Sequence, residues 1–293
     1  MCEEDAMPKQ ISPDDARRLL DDMDKVLLTH LEALERLRTA LGAEDAADKV
    51  GDAIAEAAAM SRGFAAACHD LKFTHDWRIA PQPEWFDHFL DVYLQLRRSR
   101  NTFWMERGIF GMLALRRGGN FLELCSGDGF NAHHFYAPFA NRHVAVDFDA
   151  DAIAHAQRYN RHETIEYRLA DIRTDVPEGP FDTVLWDAAI EHFTEEEIAD
   201  LMAAIKKRLT PEGCLSGYTV VAQEGGKHLC HHEREFHSMA DLSDFLAPYF
   251  RNVRVFETIH PERHNLYFYA SDGVLPFDED WPHMLVRRAS DAG

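Results

Sequence analysis

The first part of the chain shows the hydrophobic spacing of amphipathic helices. Four leucines recur every seven residues and so share one side of a predicted helix: Leu20, Leu27, Leu34 and Leu41. Ser12 and Pro13 supply an N-cap and a first helical residue, and Gly42 ends the helix. An alanine-rich stretch with helical spacing follows. The pattern therefore predicts an αα-hairpin over residues 12–72.

The leucine row of this hairpin leaves two arrangements open. It is compatible with packing on the rest of the same chain and equally with a homodimer interface. The next segment, residues 81–113, carries aromatic residues at helical spacing, which is typical of core packing and also suits a lid over a ligand. We expect residues 1–105 to form an N-terminal helical region that caps or dimerises an α/β domain over residues 106–293.

From residue 121 onward, short apolar runs alternate with amphipathic stretches. The apolar runs predict seven strands, at residues 121–125, 143–147, 165–169, 181–186, 214–222, 252–258 and 265–271. The stretches between them predict helices at about residues 129–139, 149–159, 194–209 and 239–248. This alternation predicts an α/β fold with a seven-stranded, mostly parallel sheet and helices on both faces. The last two strands follow each other directly, so the last strand is expected to be antiparallel.

Charge and cysteine content restrict the class of partner and the compartment. Lys and Arg total 31 against 51 Asp and Glu, a formal net charge of -20, which predicts no nucleic-acid partner because phosphate backbones are repelled. The five cysteines are scattered without a C-x-x-C pair, which favours a reducing compartment. The N-terminus is acidic, unlike a signal peptide, and no apolar run reaches membrane-spanning length. We therefore expect a cytoplasmic protein with no membrane partner.

Chemistry-bearing side chains follow the predicted strands. In an open α/β sheet, ligands bind beyond the carboxyl ends of the strands. The first strand carries Glu123 and leads into the turn Cys125–Gly129, whose glycines let the backbone approach a ligand. The second ends at Asp147, where a carboxylate can accept hydrogen bonds from a ribose diol. The third leads to Asp171 and Ile172, a carboxylate and an apolar group suited to an adenine amino group and ring face.

In this order and spacing, residues 120–271 resemble a class I S-adenosylmethionine-dependent methyltransferase of the seven-stranded type. The resemblance implies S-adenosylmethionine as cofactor, bound by the first motif and by the later acids with their neighbours: Glu123, Cys125, Ser126, Gly127, Asp128, Gly129, Asp147, Phe148, Asp171, Ile172 and Asp187. Within this set, Phe148 is placed to stack on adenine. Residues 209–213 match the late motif of the family. One departure is Cys125, which stands where the family commonly has glycine.

The glycine turn also suits a dinucleotide-binding dehydrogenase. The motif of that class, G-x-G-x-x-G, would place its third glycine at Ala132, a residue that the motif sometimes accepts. Asp171 after the third strand and the antiparallel finish favour the methyltransferase.

The acceptor side of the site is predicted just after the fourth strand. Asp187, Glu191 and His192 lie there, and the resemblance puts the Glu–His pair near the methyl-bearing end of the cofactor. His232 begins a segment, His232–Phe236, that resembles the acceptor side of small-molecule and glycan methyltransferases. A hydroxyl acceptor must lose a proton to a base, whereas an amine can attack when neutral. We expect O-methylation of a small-molecule or sugar hydroxyl, with His192 or His232 as base and the two carboxylates beside it.

Other functions stay open on the sequence. N-methylation of an amine or amino sugar would leave the same cofactor motifs. A catalytically silent protein that binds S-adenosylmethionine or S-adenosylhomocysteine would use residues 1–105 for partner contacts. No metal site is expected, because tetrahedral Cys/His spacing is absent and the adjacent His231 and His232 do not easily reach one ion from a regular helix. Magnesium held by Asp187 and Glu191 is the metal-dependent alternative.

Overall fold

The structure is a computed structural model of the 293-residue chain. It describes residues 12–42, 46–75, 87–222, 232–261 and 263–279. The chain divides into two compact units, Met1–Leu94 and Gln95–Gly293. The first unit is helical, and the second contains a sheet. None of the helices in the described ranges is both long enough and apolar enough to cross a membrane.

The first unit confirms the predicted hairpin. Its described helices are α1 (Pro13–Leu41), α2 (Ala46–Thr74) and α3 (His88–Leu94). The Ser12 side chain accepts the backbone N–H of Asp15 at 3.1 Å, so α1 begins at the predicted N-cap. α1 and α2 pack against each other, with Leu37 buried, while the four leucines of the row are exposed.

A buried carboxylate connects the second and third helices. Asp91 Oδ1 lies 2.6 Å from His69 Nε2, and Asp91 Oδ2 lies 3.0 Å from His88 Nδ1. All three side chains are at most 10 % exposed, so the acid is held between two imidazoles inside the unit. Two hydrogen bonds offset the cost of removing this carboxylate from water.

The second unit is a seven-stranded sheet with flanking helices. Its strands are β1 (Gly119–Leu124), β2 (Ala140–Asp147), β3 (Ile165–Leu169), β4 (Phe181–Asp187), β5 (Leu209–Val220), β6 (Asn252–His260) and β7 (Arg263–Ser271). Its described α-helices are α4 (Phe103–Met112), α5 (Ala150–Tyr159), α6 (Glu195–Arg208), α7 (Met239–Leu246) and the single turn α8 (Pro276–Glu279). The strand order is β3-β2-β1-β4-β5-β7-β6, with β7 antiparallel to both neighbours and the other adjacent pairs parallel. The predicted fold is confirmed.

The two faces of the sheet bury different layers. On one face, Leu122 and Val184 pack in the cluster that includes the apolar sides of α6 and α7. On the other, Phe121 packs with Leu185 and Tyr136. Because side chains alternate along a strand, Glu123 and Asp187 lie on this second face. That face also receives α4, which brings its own side chains toward the ends of β1 and β4.

Several elements differ from the predicted bounds by a few residues, and two differ more. The helix predicted over residues 129–139 is a π-helical turn, Ala132–Tyr136, followed by a 3₁₀ turn, Ala137–Phe139. Pro138 has no backbone N–H and so interrupts helical hydrogen bonding in this stretch. β5 begins at Leu209, earlier than predicted, so the residues of the late motif lie within the strand.

Candidate functional site

The turn after β1 contains three residues at positive φ. Cys125, Gly127 and Gly129 have φ values of 57°, 55° and 74°. Gly129 is also required for steric reasons, because a Cβ there would collide with the ring of Tyr167. Gly127 has no neighbouring atom within 4 Å of where a Cβ would lie. The backbone at Gly127 therefore faces open space, the condition for close approach of a ligand.

Cys125 adopts a backbone conformation that favours glycine. The left-handed region costs an L-residue about 1–2 kcal/mol. The Cys125 side chain packs against the core cluster that contains Leu122 and Val184. Burial raises the pKa of its thiol. Cys125 is therefore an apolar packing group at a strained position.

The polar residues of the turn have different roles. Asp128 accepts the backbone N–H of Phe130 at 3.0 Å and so stabilises the turn itself. Ser126 Oγ and, just beyond the turn, Asn131 Oδ1 are buried and make no hydrogen bond within the described part of the chain. Buried polar atoms normally have a partner, so these two oxygens mark a place for a polar ligand.

Asp147 is held close to the glycine turn. Its Oδ2 accepts the N–H of Gly127 at 2.9 Å, and its Oδ1 accepts the N–H of Asp149 at 2.9 Å. Burial raises the pKa of Asp147, and these backbone hydrogen bonds oppose the rise. Each carboxylate oxygen keeps a second lone pair for a ligand hydroxyl. Phe148 beside it is 71 % exposed, so its ring face is accessible.

Asp171 lies after β3 but is engaged by a neighbour. Arg173 donates to both carboxylate oxygens, with Nε 3.0 Å from Oδ1 and Nη2 2.8 Å from Oδ2. This guanidinium lowers the pKa of Asp171, whose side chain is 39 % exposed. Ile172, next to it, is buried. A ligand amino group would have to share Asp171 with Arg173.

Glu123 is the innermost of the predicted site residues. It is almost fully buried, and its Oε2 lies 3.1 Å from Nε2 of the fully buried His143. Burial raises the pKa of Glu123, while the neighbouring imidazole opposes the rise. The carboxyl group therefore lies in the interior at the carboxyl end of β1, just before the turn.

Asp187 at the end of β4 pairs with an arginine that the sequence did not indicate. Arg107 of α4 donates from Nε to Asp187 Oδ2 at 2.7 Å, and Asn131 Nδ2 lies 3.3 Å from the same oxygen. The arginine carbon Cζ lies 4.8 Å from the ring centre of Trp104 and 5.6 Å from that of Tyr218. Burial by itself would lower the pKa of Arg107, but the neighbouring Asp187 carboxylate raises it, so the guanidinium stays charged.

Glu191 is buried in the short 3₁₀ turn that follows β4. Its Oε2 accepts the hydroxyl of Thr219 on β5 at 3.0 Å. Burial raises the pKa of Glu191 to about 7. Its backbone carbonyl accepts the N–H groups of Glu233 at 2.7 Å and Arg234 at 3.2 Å, so the segment after His232 is fastened to this turn.

The two candidate bases come together beside Glu191. The ring centres of His192 and His232 are 4.9 Å apart, in an edge-to-face arrangement. His192 is exposed, whereas His232 is buried and its Nδ1 lies 2.5 Å from Glu235 Oε1. The histidines and cysteine that precede His232 in the sequence, His228, Cys230 and His231, lie outside the described residues.

A comparison with protein families identifies the second unit. A family model described as a methyltransferase domain matches residues 121–213, from β1 into β5. The α/β unit is an S-adenosylmethionine-dependent methyltransferase domain. The match confirms the resemblance found in the sequence and identifies S-adenosylmethionine as the methyl donor.

The methyltransferase domain is also similar to solved structures. One of them is the structure of a DhpI–SAH complex, whose sequence is 20% identical to this chain. The match covers 72% of this chain and 95% of that chain, with a TM-score of 0.48. The N-methyltransferase NodS from Bradyrhizobium japonicum is 19% identical over 59% and 98% of the two chains, with a TM-score of 0.49. The 1,6-didemethyltoxoflavin-N1-methyltransferase from Burkholderia thailandensis is 20% identical over 64% and 86%, with a TM-score of 0.48. No curated protein sequence matches this chain.

The residues present fit the methyl donor of this family. The backbone of Gly127 faces open space, and the buried oxygens of Ser126 and Asn131 call for polar partners. Asp147 lies at the end of the neighbouring strand, with the accessible ring of Phe148 beside it. A ligand with a polar tail, a diol and a flat ring matches this set of groups.

The sequence did not indicate three residues that contact the predicted site residues. Arg107, Thr219 and Glu235 each contact a predicted site residue from another element or segment. Arg107 has one local signal, since it lies about one helical turn after Phe103 and Trp104 on an aromatic-rich helix. Nothing in the spacing shows that it meets Asp187, eighty residues later.

Proposed function

We propose that the methyltransferase methylates a hydroxyl group of a small molecule or sugar. The observation that supports this most is the meeting of Glu191, His192 and His232 beyond the carboxyl end of β4. In this fold, that end of the sheet is where ligands bind. An oxygen acceptor needs a group that takes its proton, and an imidazole is suited to this near neutral pH. His192 is the exposed imidazole and is proposed to contact the acceptor, with His232 behind it.

On the cofactor side, the proposed roles follow the contacts of each residue. S-adenosylmethionine supplies a methyl group on a sulfonium. Asp147 accepts hydrogen bonds from the ribose diol, Phe148 covers the adenine, and Asp171 with Ile172 contacts its edge. The turn Cys125–Gly129 lies along the amino-acid tail, with Glu123 beneath it. Asp187, held by Arg107, fixes the end of β4 where donor and acceptor meet. The rate of methyl transfer is raised mainly by orienting donor and acceptor and by excluding water.

The role of the first unit and the location are also proposals. The exposed leucine row of α1 supports a homodimer, since a row of large apolar side chains is stabilised by being covered. The predicted division into a capping or dimerising region, residues 1–105, and a catalytic region, residues 106–293, is retained as part of this proposal. Cytoplasmic location stays a prediction from the cysteine content.

The test of the proposed function is a mass-shift assay with S-adenosylmethionine and a panel of phenols, sugars and amines. We expect methylation of a hydroxyl acceptor, and His192→Gln and His232→Gln should lower turnover while leaving affinity for S-adenosylhomocysteine unchanged. Methylation of amines alone would favour the N-methyltransferase alternative. Tight binding of S-adenosylhomocysteine without methylation of any acceptor would favour the silent binding protein. If neither histidine variant lowers turnover on a hydroxyl, the base assignment is wrong.

A further inference from the structure

We propose that Glu191, His192 and His232 form a binding site for a divalent transition-metal ion. Each of the three residues offers one ligand atom, and these atoms all lie within 4.8 Å of one another. Metal–ligand bonds of about 2.1 Å place the ligand atoms of a tetrahedral site about 3.5 Å apart. An approach of the ligand atoms by about 1 Å would therefore complete the set, and His192 is exposed and has room to move.

The chemistry of the ligand set selects the class of ion. Two imidazoles and one carboxylate suit zinc, iron, manganese or cobalt, whereas Mg²⁺ prefers oxygen ligands alone. Three protein ligands with remaining open positions are typical of catalytic rather than structural sites. We therefore infer a transition-metal ion, with Zn²⁺ as the ion to test first.

A second layer of contacts already orients two of the three ligands. His232 Nδ1 lies 2.5 Å from Glu235 Oε1, so in the neutral ring the proton sits on Nδ1 and the lone pair on Nε2. Histidine ligands of metals almost always donate their other ring N–H to a carboxylate, a backbone carbonyl or water, and Glu235 can fill this place. Thr219 donates to Oε2 of Glu191 at 3.0 Å and so fixes the orientation of this carboxylate. The contacts of Glu235 with His232 and of Thr219 with Glu191 hold two of the ligands in place, as a metal site requires.

The backbone also brings the two halves of the site together. Glu191 and His192 belong to the turn after β4, and His232 belongs to the segment after β5. The carbonyl of Glu191 accepts the N–H groups of Glu233 and Arg234, directly after His232. The parallel bridge between Val221 and Phe236 fixes the same segment against the end of β5. The ligands are thus preorganised by main-chain contacts, independent of any ion.

The sequence predicted no metal site because the residues close together in sequence do not form one. The pair His231–His232 and the absence of tetrahedral Cys/His spacing argued against a site. The proposed ligands instead come from two strand ends that only the sheet places side by side. The site also differs from the magnesium alternative, since His192 and His232 replace Asp187, which pairs with Arg107.

A bound ion would take part in the proposed methylation of a hydroxyl. This catalytic role rests on the proposed function. A hydroxyl bound at an open position would release its proton to water more readily. Its oxygen would then form a bond to the methyl carbon as the carbon–sulfur bond of S-adenosylmethionine breaks, and S-adenosylhomocysteine would leave. His192 and His232 would in that case act as ligands of the ion. Binding of the ion itself does not depend on which acceptor is methylated.

The test is calorimetric titration of chelator-treated, dialysed full-length protein with ZnCl₂, together with the visible absorption of bound Co²⁺. We expect one ion per chain. His192→Gln, His232→Gln and Glu191→Gln should each weaken Zn²⁺ binding at least about 100-fold, because each removes a direct ligand. His237→Gln, an exposed histidine of the same segment, is the matched control and should bind like the unaltered protein.

Two further measurements keep the outcome clear. Circular dichroism checks folding, and if the buried variant His232→Gln is unfolded, the exposed variant His192→Gln decides. Absence of stoichiometric binding by the unaltered protein, or equal binding by His192→Gln and the control, would overturn the proposal. The same variants are titrated with S-adenosylhomocysteine. If metal-free protein methylates a hydroxyl at full rate, the role of the ion fails while the proposed function stands; if Zn²⁺ binds but only amines are methylated, the site stands and the proposed function fails.

Discussion

Arg107 Nε lies 2.7 Å from Asp187 Oδ2, which ties α4 to the carboxyl end of β4. The two side chains are only 15% and 11% exposed. A charge in such a position is tolerated when it is paired and costly when it is alone. The position of α4 is therefore coupled to the point where methyl transfer is expected.

Replacing Arg107 by Ala should destabilise the methyltransferase domain strongly. The substitution leaves the Asp187 carboxylate buried without its main partner, and breaking a buried pair in this way typically costs about 3–5 kcal/mol. The measurement is the free energy of unfolding from urea titration, followed by the fluorescence of the tryptophans. Arg161→Ala removes an exposed arginine and should change the free energy by less than about 0.5 kcal/mol.

A double-mutant cycle separates the pair from the packing of the arginine stem. In the double variant Arg107→Met with Asp187→Asn, both charges are absent. Its loss in free energy of unfolding should therefore be smaller than the sum of the losses of the two single variants. If the losses simply add, the two residues do not interact energetically and the coupling of α4 to β4 is wrong.

Cys125 gives a second prediction, because it holds a φ of 57°. Cys125→Gly and Cys125→Ala remove the same sulfur, but only glycine is free of the left-handed penalty. We expect the glycine variant to be more stable than the alanine variant by about 1 kcal/mol, measured by urea unfolding. Gly127→Ala is the reciprocal control, since it adds a Cβ at positive φ in open space and should be destabilising. Equal stability of the two Cys125 variants would mean that the left-handed conformation carries no cost here.

The elements that depend on local pattern were predictable from the sequence. Alternating apolar runs gave all seven strands, and Ser12 with Pro13 gave the start of α1. The position of Asp147 was predictable, because β2 ends there and the carboxyl ends of parallel strands lie at the ligand edge of the sheet. The resemblance to a methyltransferase rested on such residues, and the family match confirms it.

The elements that depend on distant contacts were not predictable. The π-helical turn Ala132–Tyr136 has the composition of an ordinary helix, and its shape reflects the proline that follows and the packing of Tyr136 against Gly111. The pairing of Arg107 with Asp187 and the approach of His232 to Glu191 need the strand order, which spacing alone does not supply. The predicted roles of individual site residues therefore stay predictions.

The leucine row of α1 gives a prediction about oligomeric state. Leu27 and Leu34 are exposed and line one groove between α1 and α2 with Leu31. If this row is the dimer interface, Leu27→Asp with Leu34→Asp should convert a dimer to a monomer in sedimentation analysis, because charges cannot be buried in an apolar contact. Leu169→Asp, an exposed leucine of β3, is the control and should leave the mass unchanged. A monomeric unaltered chain would remove the basis of the dimer proposal.

Asp91 predicts how the stability of the first unit depends on pH. Burial by itself would raise the pKa of Asp91, but the hydrogen bonds from His69 and His88 outweigh it and the pKa is lowered. Its contribution is therefore fully present above the unfolded value of about 3.9 and is lost as pH falls through the folded value. Urea unfolding followed by helical circular dichroism should show a smaller loss of stability between about pH 5 and pH 3 for Asp91→Asn than for the unaltered chain. Asp52→Asn, at an exposed position of α2, should behave like the unaltered chain.

The acids of the cofactor site should differ in their effect on binding. Asp147 is buried, and its Oδ2 accepts the N–H of Gly127, so Asp147→Ala removes both the acceptor for the ribose and a support of the turn. Hydrogen bonds to a charged group contribute about 1.5–3 kcal/mol, which corresponds to a loss of about 10- to 150-fold in affinity for S-adenosylhomocysteine by calorimetry. Asp171→Ala should cost less than about 10-fold, because this carboxylate is exposed and already shared with Arg173. Asp175→Ala, an exposed acid nearby, serves as the control. Equal losses at Asp147 and Asp171 would show that burial and the contact with the turn do not determine how the adenosine is held.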